Sequence, residues 1–294
     1  MPTIALSNAV CFNQMTAPDK QFPKIRVWGT IGWIFAGLLI TFVLGTQIEN
    51  VEATSLPMKM AALGSIILGA YCFTLPNTPP RSKGKKVNLG DIFGFEAFAL
   101  LKDKSFAIFS VCSLLISIPL AFYYAFANLY LNEIGMTAVA AKMTLGQVSE
   151  VGFMLLMPFF FRRLGVKWML LVGMLAWAFR YVLFAVGDMG SMVSLLYLGI
   201  LLHGVCYDFF FVTGQVYVDK KADPSIRSSA QGFIAFLTYG VGLALGTSLS
   251  GNVVDAFTTD GVKNWSAIWM TPCLIALVVS FLFAISFNDR DKKV

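Results

Sequence analysis

Apolar residues along the chain fall in long unbroken blocks separated by short polar runs. The blocks lie at about 25–47, 56–75, 105–131, 138–161, 166–187, 190–219, 225–254 and 267–287. Each is close to the roughly 20 residues a helix needs to cross the hydrocarbon layer. None alternates with period two, so membrane-spanning helices are predicted rather than barrel strands. A shorter segment of mixed polarity, MPTIALSNAVCFNQMTA, precedes them. It reads as the tail of a further span and, with no lysine or arginine before Lys20, not as a signal peptide. Within the blocks, Pro119, Pro158 and Pro272 are sites for kinks, and Gly242 and Gly246 form a GxxxG step suited to a close helix crossing.

Composition sharpens this into a class. Of the 294 residues 57% are hydrophobic and only 13% are charged, with 27 Phe and a mean hydropathy of +0.73. Soluble domains carry about 25% charge. The prediction is an all-α, polytopic membrane protein in a lipid bilayer. Of the 22 lysines and arginines, all but Lys59, Lys142, Lys263 and Arg180 sort to one set of alternate loops. That basic side, which includes the C-terminus, is expected to be cytoplasmic. The net charge of +6 then follows from topology, and no nucleic acid is needed to explain it.

The longest polar stretch, 77–104, divides the chain unequally and reads as a basic linker. Its middle, NLGDIFGFEAFALL, is expected to form a short helix on the membrane surface. Residues 1–76 then hold a partial span and two full ones, and residues 105–294 hold six. A transporter of two six-helix halves lacking its first three spans and part of the fourth has this layout. Such a protein is expected to be a monomer when full-length and a dimer when truncated.

Polar side chains at membrane depth mark ion or substrate paths. On the block at 190–219, His203 (the only histidine) and Tyr207 share a helix face beside Asp208, and Gln215 continues the Asp208 line at i+7. Thr144, Gln147 and Glu150 are spaced by three on another block, where Gln147 offers donors and an acceptor and Glu150 can exchange a proton. Arg26, Thr30 and Trp33 lie at i, i+4 and i+7 on a third, and Tyr124 with Asn128 stands one turn apart on a fourth. For Asp208 and Glu150 the competing reading is an interhelical hydrogen bond, and for Arg26 it is snorkelling to the headgroups. Arg180 reads as structural, snorkelling or neutralising a buried carboxylate. No zinc or nucleophile-elbow motif and no phosphate loop occurs, and the five cysteines form no CxxC pair. The chain is therefore expected not to be an enzyme and to use no cofactor or metal.

KIRVWGTIGW, LGQVSEVGFMLLMPFFFRRLGVK, AWAFRYVLFAVGD and above all YDFFFVTGQVYVDKKADPSIRSSAQG resemble the nucleoside:proton symporters of the major facilitator superfamily, over nearly the whole chain. The resemblance implies twelve spans in two halves, a central nucleoside cavity and an inner-membrane location. It implies substrate contacts from Arg26, Thr30, Trp33, Tyr124, Gln147, Glu150, His203, Tyr207 and Asp208, with the proton carried through Glu150 and Asp208. Ala121 and Tyr124 stand where relatives carry polar amides, His203 and Tyr207 fall where the family can have aromatics, and Trp33 replaces another aromatic, so the resemblance leaves base selectivity and the class of ligand open. The rival expectations are a carrier of another polar solute such as a sugar, a membrane receptor that moves nothing, and an inactive truncated fragment.

Overall fold

A computed structural model describes residues 2–44, 54–78 and 95–288. The basic run at 81–86 and the cations at 290, 292 and 293 lie outside the described residues, as do most of the linker and the end of the first predicted span. The described part is helical, apart from one two-stranded turn pairing Thr258–Thr259 with Val262–Lys263.

Every predicted block contains a helix. α1 is Pro2–Gln14, α2 is Pro18–Leu38 with a π-helical continuation over Leu39–Leu44, and α3 is Leu56–Cys72. α4 is Lys104–Glu133 and α5 is Val139–Val186. α6 is Val193–Lys221, α7 is Arg227–Ala256 and α8 is Trp265–Ser286. Among the described residues five helices, α4 to α8, are long and apolar enough to cross a membrane. At 48 residues α5 is too long for one crossing, and it breaks at Gly165 (φ 68°, ψ 175°). Those angles favour glycine. The break falls just after Arg162 and Arg163, between the two blocks read from the sequence as separate spans. Of the expected surface helix, the described part is a 3-10 turn over Phe95–Lys102, and its Phe98 ring lies 5.0 Å from that of Phe233.

The polar ends of the helices are tied to one another. Asp103 caps α4 by accepting from the Phe106 N–H at 2.9 Å, and its carboxylate lies 3.1 Å from Lys221 at the end of α6. Burial alone would push this carboxyl up. The Phe106 hydrogen bond and the Lys221 ammonium outweigh that and hold it below the usual carboxylate range. At the same end Lys220 meets Asp19 at 3.8 Å and Arg227 meets Asp219 at 3.7 Å. At the other end Lys263 meets Glu133 at 2.6 Å, and Trp265 donates its indole N–H to the same carboxylate. These pairs join residues that the loop alternation assigns to the same side, so the fold and the charge pattern agree on which loops share an end.

Between the ends α8 packs on α4 and α5, α7 on α4, and α2 on the first arm of α5. The densest ring packing joins Tyr130, Tyr181, Phe184 and Trp269 in one cluster, with Tyr181 stacked on Trp269 and the other two rings edge-on to it, and the Tyr130 hydroxyl donates to the Phe184 carbonyl at 2.6 Å. Pro119 keeps a partner for its carbonyl in the hydroxyl of Tyr181. The GxxxG step does what its spacing predicts. A Cβ on Gly242 would stand 2.6 Å from Ser117 Cβ, and one on Gly246 would stand 2.6 Å from Ala121 Cβ and 2.9 Å from the Ile118 backbone. Gly246→Val is thus expected to force α7 away from α4. Overpacking of this kind costs about 1–3 kcal/mol. Thermal unfolding in detergent should show a lower melting temperature than that of Gly251→Val, since nothing lies within 4 Å of a Cβ at Gly251.

Candidate functional site

The polar residues of α2, α5 and α6 converge where these three helices meet. Thr30, one helical turn past Arg26 on α2, donates its hydroxyl to Glu150 Oε1 at 2.6 Å across 120 residues of sequence. Both partners are buried, Glu150 being 5% exposed. On the other side of the carboxylate, Nε2 of His203 lies 3.7 Å from Glu150 Oε2, beyond hydrogen-bond range but close enough for charge to be felt. The imidazole sits between two rings, with Tyr123 at 5.6 Å and Tyr207 at 5.9 Å, both within 25° of parallel. Arg26 Nη2 donates to the Tyr207 hydroxyl at 3.3 Å, and its guanidinium lies 5.8 Å from the centre of the same ring. The result is a continuous path of contacts from Arg26 through Tyr207 and His203 to Glu150, and from Glu150 back to Thr30.

Local structure explains how α6 presents these groups. Gly204 allows a close approach: its Cβ would stand 2.6 Å from the Ser149 backbone, so His203 is brought against the Glu150 turn of α5. The Ser149 hydroxyl accepts from the Gly204 N–H and donates to the Leu201 carbonyl, which fixes the contact. Asp208–Val212 is then a π-helical turn. Such turns widen the helix and shift the residues that follow around its axis. This corrects the expected Asp208–Gln215 line. Gln215 lines a small pocket shared with Asn8, Ser113, Gln231, Thr238 and Tyr239, whereas Asp208 is not among the residues that line it. Asp208 is instead 0% exposed, and neither carboxylate oxygen has a hydrogen-bond partner among the described residues. It remains within electrostatic reach of Glu150 and Arg26.

The other expected residues are placed less tightly. Gln147 lies one turn before Glu150 and is partly exposed. Tyr124 is 52% exposed and interacts electrostatically with Tyr207 and Glu150. Trp33 is 72% exposed, and the structure does not bring it against Glu150. Trp33 stands three residues past Thr30, just under one helical turn, and about 60° around the axis from it, on the far side of the Arg26 line from the buried contact with α5. One participant was not foreseen. The Tyr239 hydroxyl on α7 lies 3.0 Å from that of Tyr207, and its ring stacks on Phe211 at 5.8 Å. A lone tyrosine in a glycine-rich span gives no periodic signal by which it could have been found.

Chemically, the cluster offers one carboxyl group able to take up and release a proton, one guanidinium, several hydroxyls and a ring stack. That set suits a neutral solute carrying hydroxyl groups and an aromatic face.

Known proteins with this chain's features agree. YegT of Escherichia coli (strain K12) is 43% identical over 305 residues, an alignment covering all of this chain and 71% of YegT. The xanthosine permease of the same organism is 35% identical over 311 residues, covering 73% of its length. The crystal structure of a point mutant of nucleoside transporter NupG matches with a TM-score of 0.77 at 32% identity, over 98% of this chain and 74% of that one. The family model described as "Nucleoside H+ symporter" matches residues 1–292. With that match and these relatives, the chain belongs to the nucleoside H+ symporter family of multi-pass membrane transporters.

Proposed function

We propose that the protein carries nucleosides across the inner membrane together with protons, by alternating access. The observation that carries this reading is the Thr30–Glu150 contact beside the Arg26–Tyr207 hydrogen bond. Both join α2, in the part of the chain before the linker, to helices after it. Carriers of this kind rock one bundle against another around a site near mid-membrane, so bonds between bundles must open and close in each cycle. The bundles are residues 1–76 and 105–294, joined by the linker 77–104, with the C-terminus and the basic loops in the cytoplasm and the full assembly acting as a monomer in the bilayer.

In this cycle Glu150 is the proton carrier. As a carboxylate it accepts from Thr30 and attracts Arg26; with a proton bound it still offers Thr30 an acceptor oxygen but no longer attracts Arg26, and the bundles are released to move. The nucleoside uses the same groups. Gln147 and Arg26 read its polar edge, while Tyr207, His203, Tyr124 and Trp33 supply ring faces for the base or sugar. Asp208 sets the charge of the site from behind.

Uptake of labelled uridine into cells lacking their own nucleoside carriers tests this directly. Uptake should collapse on addition of a protonophore and be competed by other nucleosides. Uridine uptake that survives the protonophore would sink the proton coupling. Competition by a sugar with none by nucleosides would point to another polar solute.

A further inference from the structure

Arg180, on the second arm of α5, is 0% exposed, yet none of its three guanidinium nitrogens has a hydrogen-bond partner among the described residues. The carboxylate partner that its position in the sequence allows is not there. Its neighbours are ring faces: the guanidinium carbon lies 4.3 Å from the centre of the Tyr123 ring and 4.8 Å from that of Trp177. A cation held only by rings in a desolvated site binds them strongly and fixes their planes, because the attraction falls off as the charge leaves the ring axis. Tyr123 is therefore pinned from one direction by Arg180. It is buried, and its own hydroxyl has no hydrogen-bond partner among the described residues. The ring that Tyr123 carries forward is the imidazole of His203, stacked on it at 5.6 Å and 23°. His203 in turn stacks on Tyr207 and faces Glu150 at 3.7 Å.

We propose that Arg180 is a positioning residue for the substrate site. It acts through Tyr123 to hold the His203–Tyr207 ring wall in register with Glu150, and does not touch the nucleoside itself. This rests on the reading that nucleosides bind against that wall. The guanidinium supplies what an apolar residue of the same volume does not: a directional contact that keeps the first ring of the stack from tilting. Trp177, on the same helix one turn earlier, holds the cation from a second direction, its ring standing 77° to that of Tyr123.

Uridine uptake kinetics in four variants, with the inserted amount of each measured by blotting, test the assignment. Arg180→Met keeps the stem and removes the cation; Arg180→Lys keeps a cation. Tyr123→Leu removes the ring while leaving Arg180 in place; Tyr123→Phe keeps the ring. The expected result is a KM raised about tenfold in Arg180→Met, the scale of one buried cation–π contact. Arg180→Lys should restore most of it, Tyr123→Leu should match Arg180→Met, and Tyr123→Phe should stay near the wild type. If Arg180→Met fails to insert, the tyrosine pair carries the test on its own. A wild-type KM in Arg180→Met or in Tyr123→Leu overturns the assignment. So does a fall in uptake that follows the inserted amount alone with KM unchanged, which is the mark of a purely structural arginine. Wild-type protein that takes up no uridine overturns the nucleoside reading itself, and is distinguished from the other outcomes by that control.

Discussion

Glu150→Gln is expected to abolish accumulation of uridine against its gradient and to leave exchange of uridine across the membrane intact. The substitution is chosen because the structure makes it nearly silent in every other respect. Thr30 donates to Glu150 Oε1 at 2.6 Å, and a glutamine oxygen in the same place accepts that bond equally well. The side chain is buried and unchanged in length, so packing between α2 and α5 is retained. What is lost is the ability to take and release a proton. One charge moved through 100 mV is worth about 2.3 kcal/mol, or roughly fifty-fold in concentration ratio. A carrier uncoupled from the proton forfeits that whole factor and brings internal uridine only to the external level. Counterflow needs only binding and rocking, so preloaded vesicles should still exchange labelled for unlabelled uridine. Accumulation retained by Glu150→Gln would move the proton site elsewhere, with Asp208 the next group to examine.

How much of this could be read in the sequence divides along a physical line. The spans were legible because burial in hydrocarbon demands about 20 apolar residues in a row, and that requirement is local. The tight α4–α7 crossing was legible for the same reason, as two glycines four apart need no knowledge of their partner. Interhelical contacts carry no such local signature. Thr30 and Glu150 were each identified as polar residues at membrane depth, but nothing in either segment says that they bond to one another. The π turn at Asp208–Val212 was invisible because its residues, DFFFV, suit an α-helix equally well by hydropathy. It is that turn which separates Asp208 from Gln215 and makes an i+7 extrapolation fail. Arg180 shows the remaining gap. A buried arginine predicts a carboxylate partner on charge alone, and only the fold shows that aromatic rings take its place.

The central cluster also has a consistent electrostatic design. One cation, Arg26, serves two carboxyl groups that feel it and one another. With Glu150 bonded to Thr30 and Asp208 without a hydrogen-bond partner among the described residues, the two acids are held differently on adjoining helices. In the proposed cycle, a bonded carboxyl beside an unbonded one gives two ways to place a single proton as the bundles move.

Asp208→Asn should separate stability from function more sharply than any other substitution in the chain. The carboxyl is 0% exposed and has no hydrogen-bond partner at either oxygen among the described residues. An ionised side chain in such a place costs at least a few kcal/mol, and replacing buried charge with a neutral group of the same shape is often neutral or stabilising. The asparagine should therefore leave the melting temperature in detergent unchanged or raise it by a few degrees, since about 1 kcal/mol moves it roughly 2–4 °C for a domain of 150–250 residues. Transport should fall at least tenfold at the same inserted amount, because the neutral amide neither attracts Arg26 nor repels Glu150, and the charge balance that Glu150 needs is lost. A structural role makes the opposite prediction: an earlier melt, with transport reduced only in proportion to the folded protein. Melting curves and uptake measured on one preparation distinguish the two, and a destabilised variant with full activity per folded molecule would remove Asp208 from the transport cycle.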